Sequence, residues 1–365
     1  MTLRKLWEPC ITNYGRNVVR FIEQHISKKK SDVVFIGGVG FDPRSTLVAS
    51  MIATTKAKRS GVLIRENRGE GEGPLSQKGK LNFATMTACF PDHQIAEIQI
   101  IGEDGAIIGG REAIQRLNGI DFTNATDVIV DISALSISVS FPIIKYLYEK
   151  RVNNLHVLVT HNATMDEMII HHPVDRVSYI HGFKGGMGLS ENEAAARLWL
   201  PQLAMGSRDA LNRIYNFIEP HDTCPILPFP SENPRRGDEL LFHFMSELES
   251  SWDVDSRNIL YAAEDDPLDL YRLILRLGER RAETFHECGG SMLVLSPLGS
   301  KLMALGTLLA ALEKDIPLVY LEALRFDVDA QVFTTQIDKE KLFHLWLDGY
   351  VYKSPPDLSK KVAQA

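Results

Sequence analysis

The sequence lacks several patterns that would assign a chain of this size to a common chemistry. Its four cysteines, Cys10, Cys89, Cys224 and Cys288, show no CxxC or CxxH spacing, which argues against a zinc site and against a disulfide framework. No apolar run approaches the roughly 20 residues that cross a bilayer. We therefore expect a protein without a membrane segment, located in the reducing cytoplasm.

Positive charge is not in excess either. Lys and Arg total 40 against 47 Asp and Glu, a net charge of −7, so bulk binding of duplex nucleic acid is not expected. A GxSxG nucleophile elbow and an HExxH zinc motif are absent. The pair Gly38 and Gly40 is followed by Pro43 where the dinucleotide motif GxGxxG has its third glycine.

What the sequence does contain is a repeated alternation of strand and helix patterns over 365 residues. Short apolar, β-branched runs such as 33–36, 127–131 and 291–295 are each followed by a polar turn and a helical pattern. This order predicts an α/β fold with mainly parallel sheets. Residues 191–220 look helical, with an interruption at Pro201.

Four prolines between residues 221 and 238 exclude a long helix there. We therefore predict two Rossmann-like lobes joined by a proline-rich connector. The N-terminal lobe would span residues 1–220, the connector 221–238, the C-terminal lobe 239–353 and a tail 354–365.

Ligands of open parallel sheets bind beyond the carboxyl ends of the strands, where helix amino termini present unpaired N–H groups. The first such loop spans residues 37–45. The glycines Gly38 and Gly40 allow a tight turn, and Arg44 can fork onto a phosphate or carboxylate. Asp42 could hold that fork or cap the next helix, so a purely structural Asp–Arg pair is an equal alternative.

The second loop follows the apolar strand 127–131. Asp131 and Ser133 could serve a ribose, a phosphate or a metal-bound water. An aspartate that ends a strand is also a common cap, and the structural interpretation is somewhat favoured here.

The third loop is the most specific feature of the chain. Ser296, Gly299, Ser300 and Lys301 lie between a predicted strand and a helix that is apolar on nearly every face and therefore buried. Amide donors, a hydroxyl and one cation together suit an anionic group. The alternative is that Ser300 only caps the helix while Lys301 stays solvated.

Other constellations carry less weight. The acids at 264–266 could bind Mg²⁺ if the protein is an enzyme, but they more often mark a helix start, and no cofactor is otherwise indicated. The four histidines at 161, 171, 172 and 181 match no metal-binding spacing. The segment 65–73 is too rich in glycine and charge for regular structure, and is as much a candidate lid as a solvated loop.

The segment 295–306, LSPLGSKLMALG, resembles the strand–turn–helix motif of CARF-type domains, the Rossmann-like sensors of CRISPR-linked and related antiviral systems. Gly299, Ser300, Lys301 and Met303 match a threonine-glycine-glycine-threonine-lysine turn and its Met-containing helix. Ser296 stands where the family often has Asn, and Pro297 interrupts the glycine-rich stretch. The resemblance implies binding of a cyclic oligonucleotide at a two-fold interface or, as in SAVED domains, between two fused units.

Three functions follow as hypotheses. The leading one is a sensor or regulatory subunit that binds a nucleotide-like anionic ligand, with an effector protein as partner, in a homo-oligomer and in antiviral defence. The second is an enzyme of nucleotide metabolism in which Asp131 or Asp265 acts as base or metal ligand. The third is a scaffold without a small ligand, which works by protein contact.

Overall fold

The computed structural model describes residues 6–28, 30–69, 73–184 and 195–352. The predicted tail 354–365 lies outside these residues, as do residues 70–72 of the candidate lid. The strands are β1 (Ile11–Tyr14), β2 (Asp32–Gly38), β3 (Lys58–Asn67), β4 (His93–Gln99), β5 (Asp127–Asp131), β6 (Leu155–Thr160), β7 (Ile169–Pro173), β8 (Ser178–Tyr179), β9 (Ala196–Pro201), β10 (Asp222–Thr223), β11 (Ile226–Pro228), β12 (Leu260–Ala262), β13 (Ser291–Ser296), β14 (Val319–Tyr320), β15 (Ala323–Val328) and β16 (Leu342–Asp348).

The helices alternate with these strands over most of the chain, as the sequence predicts. They are α1 (Arg16–Phe21), α2 (Ser45–Ala53), α3 (Pro74–Cys89), α4 (Gly109–Leu117), α5 (Ile137–Glu149), α6 (Ala163–Glu167), α7 (Arg208–Ile218), α8 (Arg236–His243), α9 (Pro267–Phe285) and α10 (Lys301–Lys314). The sequence patterns predict helices over 267–285 and 301–314, and α9 and α10 have these bounds.

A seven-stranded sheet forms the first lobe, in the order β1-β16-β6-β5-β2-β3-β4. The five strands from β6 to β4 are parallel. Beyond β6, β16 pairs antiparallel with β6, and β1 pairs antiparallel with β16 at the edge of the sheet. In chain order, the parallel strands occupy positions 3-2-1-4-5, which is the Rossmann order. The winding direction therefore reverses between β2 and β5, and this is the topological switch point of the first lobe.

The second lobe repeats that order. Strands β10, β9 and β13 form a parallel sheet, and β11 pairs in parallel with β12. Parallel bridges from Gln202 to Ile226 and from Leu295 to Leu318 join β11 and the start of β14 to this sheet. Taking β10 and β11 as one interrupted strand, the order is again 3-2-1-4-5, with a switch point between β9 and β13. The protein is thus an α/β protein with two Rossmann-like lobes, as predicted.

The two sheets divide the chain differently from the predicted boundaries at 220 and 239. Residues 196–201, expected to be helical, form β9, because Leu198, Trp199 and Leu200 are fully buried between neighbouring strands. The segment 221–238, expected to be a connector, contains β10 and β11, so its prolines interrupt a strand. The strand β16 returns to the first sheet, where it lies beside β6.

The lobes meet through the helices that follow the fourth strand of each sheet, α5 and α10. Both helices contribute to one continuous apolar core, with Phe141 and Ile144 from α5 and Leu305 and Leu309 from α10. Residues 302–311 of α10 are all buried, which confirms the prediction of a buried helix. Within the described residues, no helix is both long and apolar enough to cross a membrane.

The packing of α10 against α9 depends on Gly306. A Cβ at this position would lie 2.3 Å from the carbonyl oxygen of Pro267 and 3.1 Å from Cβ of Leu270. We therefore expect Gly306→Ala to separate the two helices and to lower the free energy of unfolding by about 1–3 kcal/mol in urea titrations. Gly237→Ala in α8 is the control, since its Cβ would lie 3.9 Å from the nearest atom and should not destabilise. Equal stabilities of the two variants would contradict this packing.

Candidate ligand-binding site

The switch points of the two lobes face a single cavity of about 840 Å³. Its walls include residues 39–42 and Arg44 after β2, and residues 134–137 after β5, from the first lobe. They also include residues 203–207 after β9 and 297–301 after β13, from the second lobe. The volume falls in the range of about 300–1,000 Å³ that is usual for small-molecule sites.

Six of the ten predicted site residues line this cavity, and four lie outside its lining. Those that line it are Gly40, Asp42, Arg44, Gly299, Ser300 and Lys301. Those outside the lining are Gly38, Asp131, Ser133 and Ser296. The structure therefore brings the first and third predicted loops to the same cavity. Asp131 and Ser133 of the second loop lie behind the residues that line it.

In the first loop, Arg44 is bound by the protein's own acids. Its Nε lies 3.0 Å from both carboxylate oxygens of Asp42, and its Nη1 lies 2.7 Å from Oδ1 of Asp166. Burial alone would raise the pKa of Asp42, but the charge and hydrogen bonds of Arg44 lower it below its usual value. Gly38 approaches the second loop, since a Cβ there would lie 2.8 Å from the carbonyl oxygen of Ala134.

In the second loop, Asp131 organises the turn from inside the protein. Its Oδ1 accepts hydrogen bonds from the backbone N–H of Ser133 at 2.9 Å and from the hydroxyl at 2.5 Å. The Ser133 hydroxyl oxygen in turn accepts from the backbone N–H of Thr160 at 2.9 Å. Within the described residues, the buried Oδ2 of Asp131 has no hydrogen-bond partner. Burial raises the pKa of Asp131 to about 6, against the hydrogen bonds of Ser133.

In the third loop, the hydroxyl oxygen of Ser300 caps α10 by accepting from the backbone N–H of Met303 at 3.2 Å. The backbone N–H of Gly299 donates to Oε1 of Gln202 at 3.2 Å. Ser296 lies beneath the loop, where its hydroxyl oxygen accepts from the indole of Trp199. The cap was one of the alternatives that the sequence left open, and the structure shows it.

Lys301 links the two lobes. Its ammonium group donates to the backbone carbonyls of Ile132, at 3.1 Å, and of Ser133, both in the loop after β5. Burial and the nearby guanidinium of Arg44 lower the pKa of Lys301, against the attraction of Asp42. A cation from the second lobe is therefore held by neutral carbonyls of the first.

Sequence reasoning missed a second polar chain across the junction. The carboxylate of Glu66 accepts from the backbone N–H of Ser136 at 2.7 Å and pairs with Arg68 at 2.7 Å. Arg68 also pairs with Glu322 at 3.0 Å, and Glu322 accepts from the hydroxyl of Ser138. Residues 65–67, expected to lack regular structure, are the end of β3. A signal was present in the sequence, because these charges directly follow the apolar residues 62–64 of the same strand.

The cavity wall carries both signs of charge in nearly equal number. Its six cationic side chains are Arg44, Arg65, Arg68, Lys80, Arg236 and Lys301. Its seven acidic side chains are Asp42, Glu66, Glu97, Asp166, Glu167, Glu264 and Glu322. The aromatic rings of Phe41, Phe326 and His171 also line it.

The remaining predicted constellations are dispersed. Asp266 caps α9 by accepting from the backbone N–H of Leu268 at 2.9 Å, as one prediction had it. His171 and His172 are adjacent in β7 and so point to opposite faces. Burial lowers the pKa of His171 to about 4.

The environment of Asp131 leads to a prediction about stability. Its pKa of about 6 in the folded protein lies above the ordinary value of 3.8, so the folded state binds more protons between these pH values. The free energy of unfolding should therefore fall as pH rises from about 4 to 6. Relative to Asp131→Asn, wild type should lose roughly 3 kcal/mol across this window in urea titrations. Parallel pH curves for the two proteins would contradict the assignment.

Comparisons with known proteins give no family. No protein-family model matches the chain, and no curated protein matches it. Among solved structures, a universal stress protein from Archaeoglobus fulgidus DSM 4304 aligns over 80% of this chain and 96% of its own, at 6% identity and a TM-score of 0.22. A similarity at this level carries no conclusion about fold or function.

Proposed function

We propose that the protein binds a nucleotide-like anionic ligand in the cavity between its lobes and acts as a sensor or regulatory subunit. The observation that carries this proposal is the convergence of both switch points on one space. In a single Rossmann-like sheet the crevice at the switch point is the usual ligand site. Here the crevices of the two sheets open into the same cavity.

The charge of Lys301 supports an anionic ligand. Arg44, Arg65, Arg68 and Arg236 each pair with a carboxylate. Lys301 instead donates to two neutral carbonyls, and within the described residues it forms no direct ion pair. Carboxylates such as Asp42 attract this ammonium group only from beyond contact distance, and a phosphate in the cavity would supply a direct ionic partner.

The rest of the wall supports a nucleotide rather than a simple anion. Carboxylates such as Glu66 and Glu322 accept hydrogen bonds, which suits ribose hydroxyls and base amino groups. The guanidinium of Arg68 lies 5.0 Å from the ring centre of Phe326, and the ring of His171 meets the same phenyl edge-on at 5.1 Å. These π-faces are the kind of surface on which bases stack.

Signalling would follow from competition for Lys301. A ligand phosphate that takes the ammonium releases the carbonyls of Ile132 and Ser133, and so removes one link between the lobes. Ligand binding would then shift the equilibrium between different arrangements of the two lobes, and no covalent bond would break. The resemblance of residues 295–306 to CARF-type turns adds cyclic oligonucleotides to the candidate ligands. A cytoplasmic homo-oligomer with an effector partner in antiviral defence belongs to the same proposal.

The enzyme hypothesis has less support from the site. Of the two aspartates it needs, Asp131 is buried under the loop and Asp265 is exposed elsewhere, and neither lines the cavity. Turnover of a nucleotide in the presence of Mg²⁺ would favour the enzyme over the sensor. Failure of every nucleotide to bind would favour the scaffold.

The first test is calorimetry of the full chain with mononucleotides, dinucleotides and cyclic oligonucleotides. We expect a ligand of this panel to bind wild type, and Lys301→Ala to weaken it by about 10-fold or more, because a charge-assisted hydrogen bond contributes about 1.5–3 kcal/mol. Lys314→Ala, at the exposed end of the same helix, is the charge-matched control and should bind like wild type. Equal affinities for all three proteins would remove Lys301 from the site.

The second test uses pH. The anion prefers protonated Lys301, whose pKa in the free protein lies below that of an ordinary lysine. Affinity should therefore fall as pH rises, beginning at a lower pH than for an exposed lysine. In Lys301→Arg the guanidinium stays charged, so the measured affinity should not show this alkaline fall. An identical fall in both proteins would assign the titration to another group.

A further inference from the structure

Two buried strands carry histidines at positions where apolar residues surround them. His156 lies in β6 and His344 in β16, and both are fully buried. His25 approaches the same place from a π-helical turn, Ile22–Ile26, that continues α1. Asp127 is the first residue of β5 and completes the group. It lies at the amino-terminal end of the parallel strands, whereas the cavity lies beyond their carboxyl ends.

The geometry of three of these side chains is that of a metal-ligand set. Oδ1 of Asp127 lies 3.1 Å from Nε2 of His25 and 3.1 Å from Nε2 of His156. All three atoms lie within 4.8 Å of one another. Bonds of about 2.0–2.1 Å to a common ion place neighbouring ligand atoms roughly 2.9–3.4 Å apart. Two of the three separations already have that length.

We propose that His25, Asp127 and His156 bind a divalent first-row transition-metal ion, which ties α1 to the first sheet. Two imidazole nitrogens and one carboxylate oxygen suit zinc and its neighbours, whereas Ca²⁺ and Mg²⁺ prefer oxygen ligands throughout. Three protein ligands leave a position for water. His25 provides access, since its side chain is 16% exposed while that of His156 is fully buried.

The surrounding hydrogen bonds match those that orient metal ligands. The hydroxyl of Thr126 donates to Oδ2 of Asp127 at 2.7 Å, which leaves Oδ1 for the ion. Nδ1 of His156 lies 3.0 Å from Nε2 of His344, and Nδ1 of His344 lies 2.9 Å from the side-chain amide of Asn13. Ligating histidines almost always use their second nitrogen in this way.

The chain of hydrogen bonds from His156 through His344 to Asn13, here called the relay, allows either tautomer of the two imidazoles. Without an ion, Nε2–H of His156 donates to Asp127, and Nδ1 accepts from His344. With an ion on Nε2, the proton of His156 lies on Nδ1 and is donated to His344, whose own proton moves to Nδ1. A 180° flip of the Asn13 amide then presents its oxygen as acceptor. Neither buried histidine gains or loses a net proton, and every hydrogen bond of the relay is retained.

The test is titration of the metal-stripped full chain with Zn²⁺ by calorimetry, and with Co²⁺ by visible absorption. We expect one tight equivalent and the intense bands of a four- or five-coordinate cobalt ion. His25→Ala should weaken Zn²⁺ binding by at least about 100-fold, and Thr126→Val by about 10–100-fold. His172→Ala removes a histidine from another strand and should leave the affinity unchanged.

Weak Zn²⁺ binding that is equal in all four proteins would overturn the proposal and identify the group as a hydrogen-bonded network only. His25 lies at the rim, and Thr126→Val leaves all three ligands in place, so a folding defect in one variant does not remove the test. The result is independent of nucleotide binding, because none of these residues lines the cavity.

Discussion

The wall of the cavity between the lobes depends on the pairing of charges that water reaches poorly. Arg44 and Arg68 would each be costly to bury alone, and each is held by two carboxylates. Breaking such a pair leaves an unpaired charge, which is why buried pairs fix geometry more than they add stability. Lys301 differs because its partners are neutral carbonyls of the other lobe. The two arginines of the wall thus have acidic partners, whereas Lys301 has none in direct contact among the described residues.

The same pairing would make the proposed ligand site selective. The helix α5 begins at a switch point, yet the half-buried backbone N–H of Ser136 at its start already donates to the carboxylate of Glu66. The loop before α10 likewise gives the N–H of Gly299 to Gln202. A ligand must therefore offer more than a negative charge to displace these internal acceptors. In the proposed site, discrimination against small anions would follow from competition with the protein's own acceptors.

Local signals predicted the repeating units of this fold, but not their assembly. Pro267 after an acidic cap and the Gly299-Ser300-Lys301 turn marked the starts of α9 and α10, because these signals act within a few residues. The strand β9 was missed, since its pairing with β13 joins residues nearly a hundred positions apart. Glu322 was missed for the same reason, because only the assembled lobes bring it to Arg68.

The strand β5 shows most directly what a sequence withholds. It begins and ends with an aspartate, Asp127 and Asp131, and burial alone would raise the pKa of both. Hydrogen bonds from His156 and His25 lower the pKa of Asp127 below its ordinary value. Asp131 receives hydrogen bonds from Ser133, and its pKa stays raised. The histidines that make the difference come from β6 and from α1's continuation, so identical residues acquire opposite properties only through the tertiary fold.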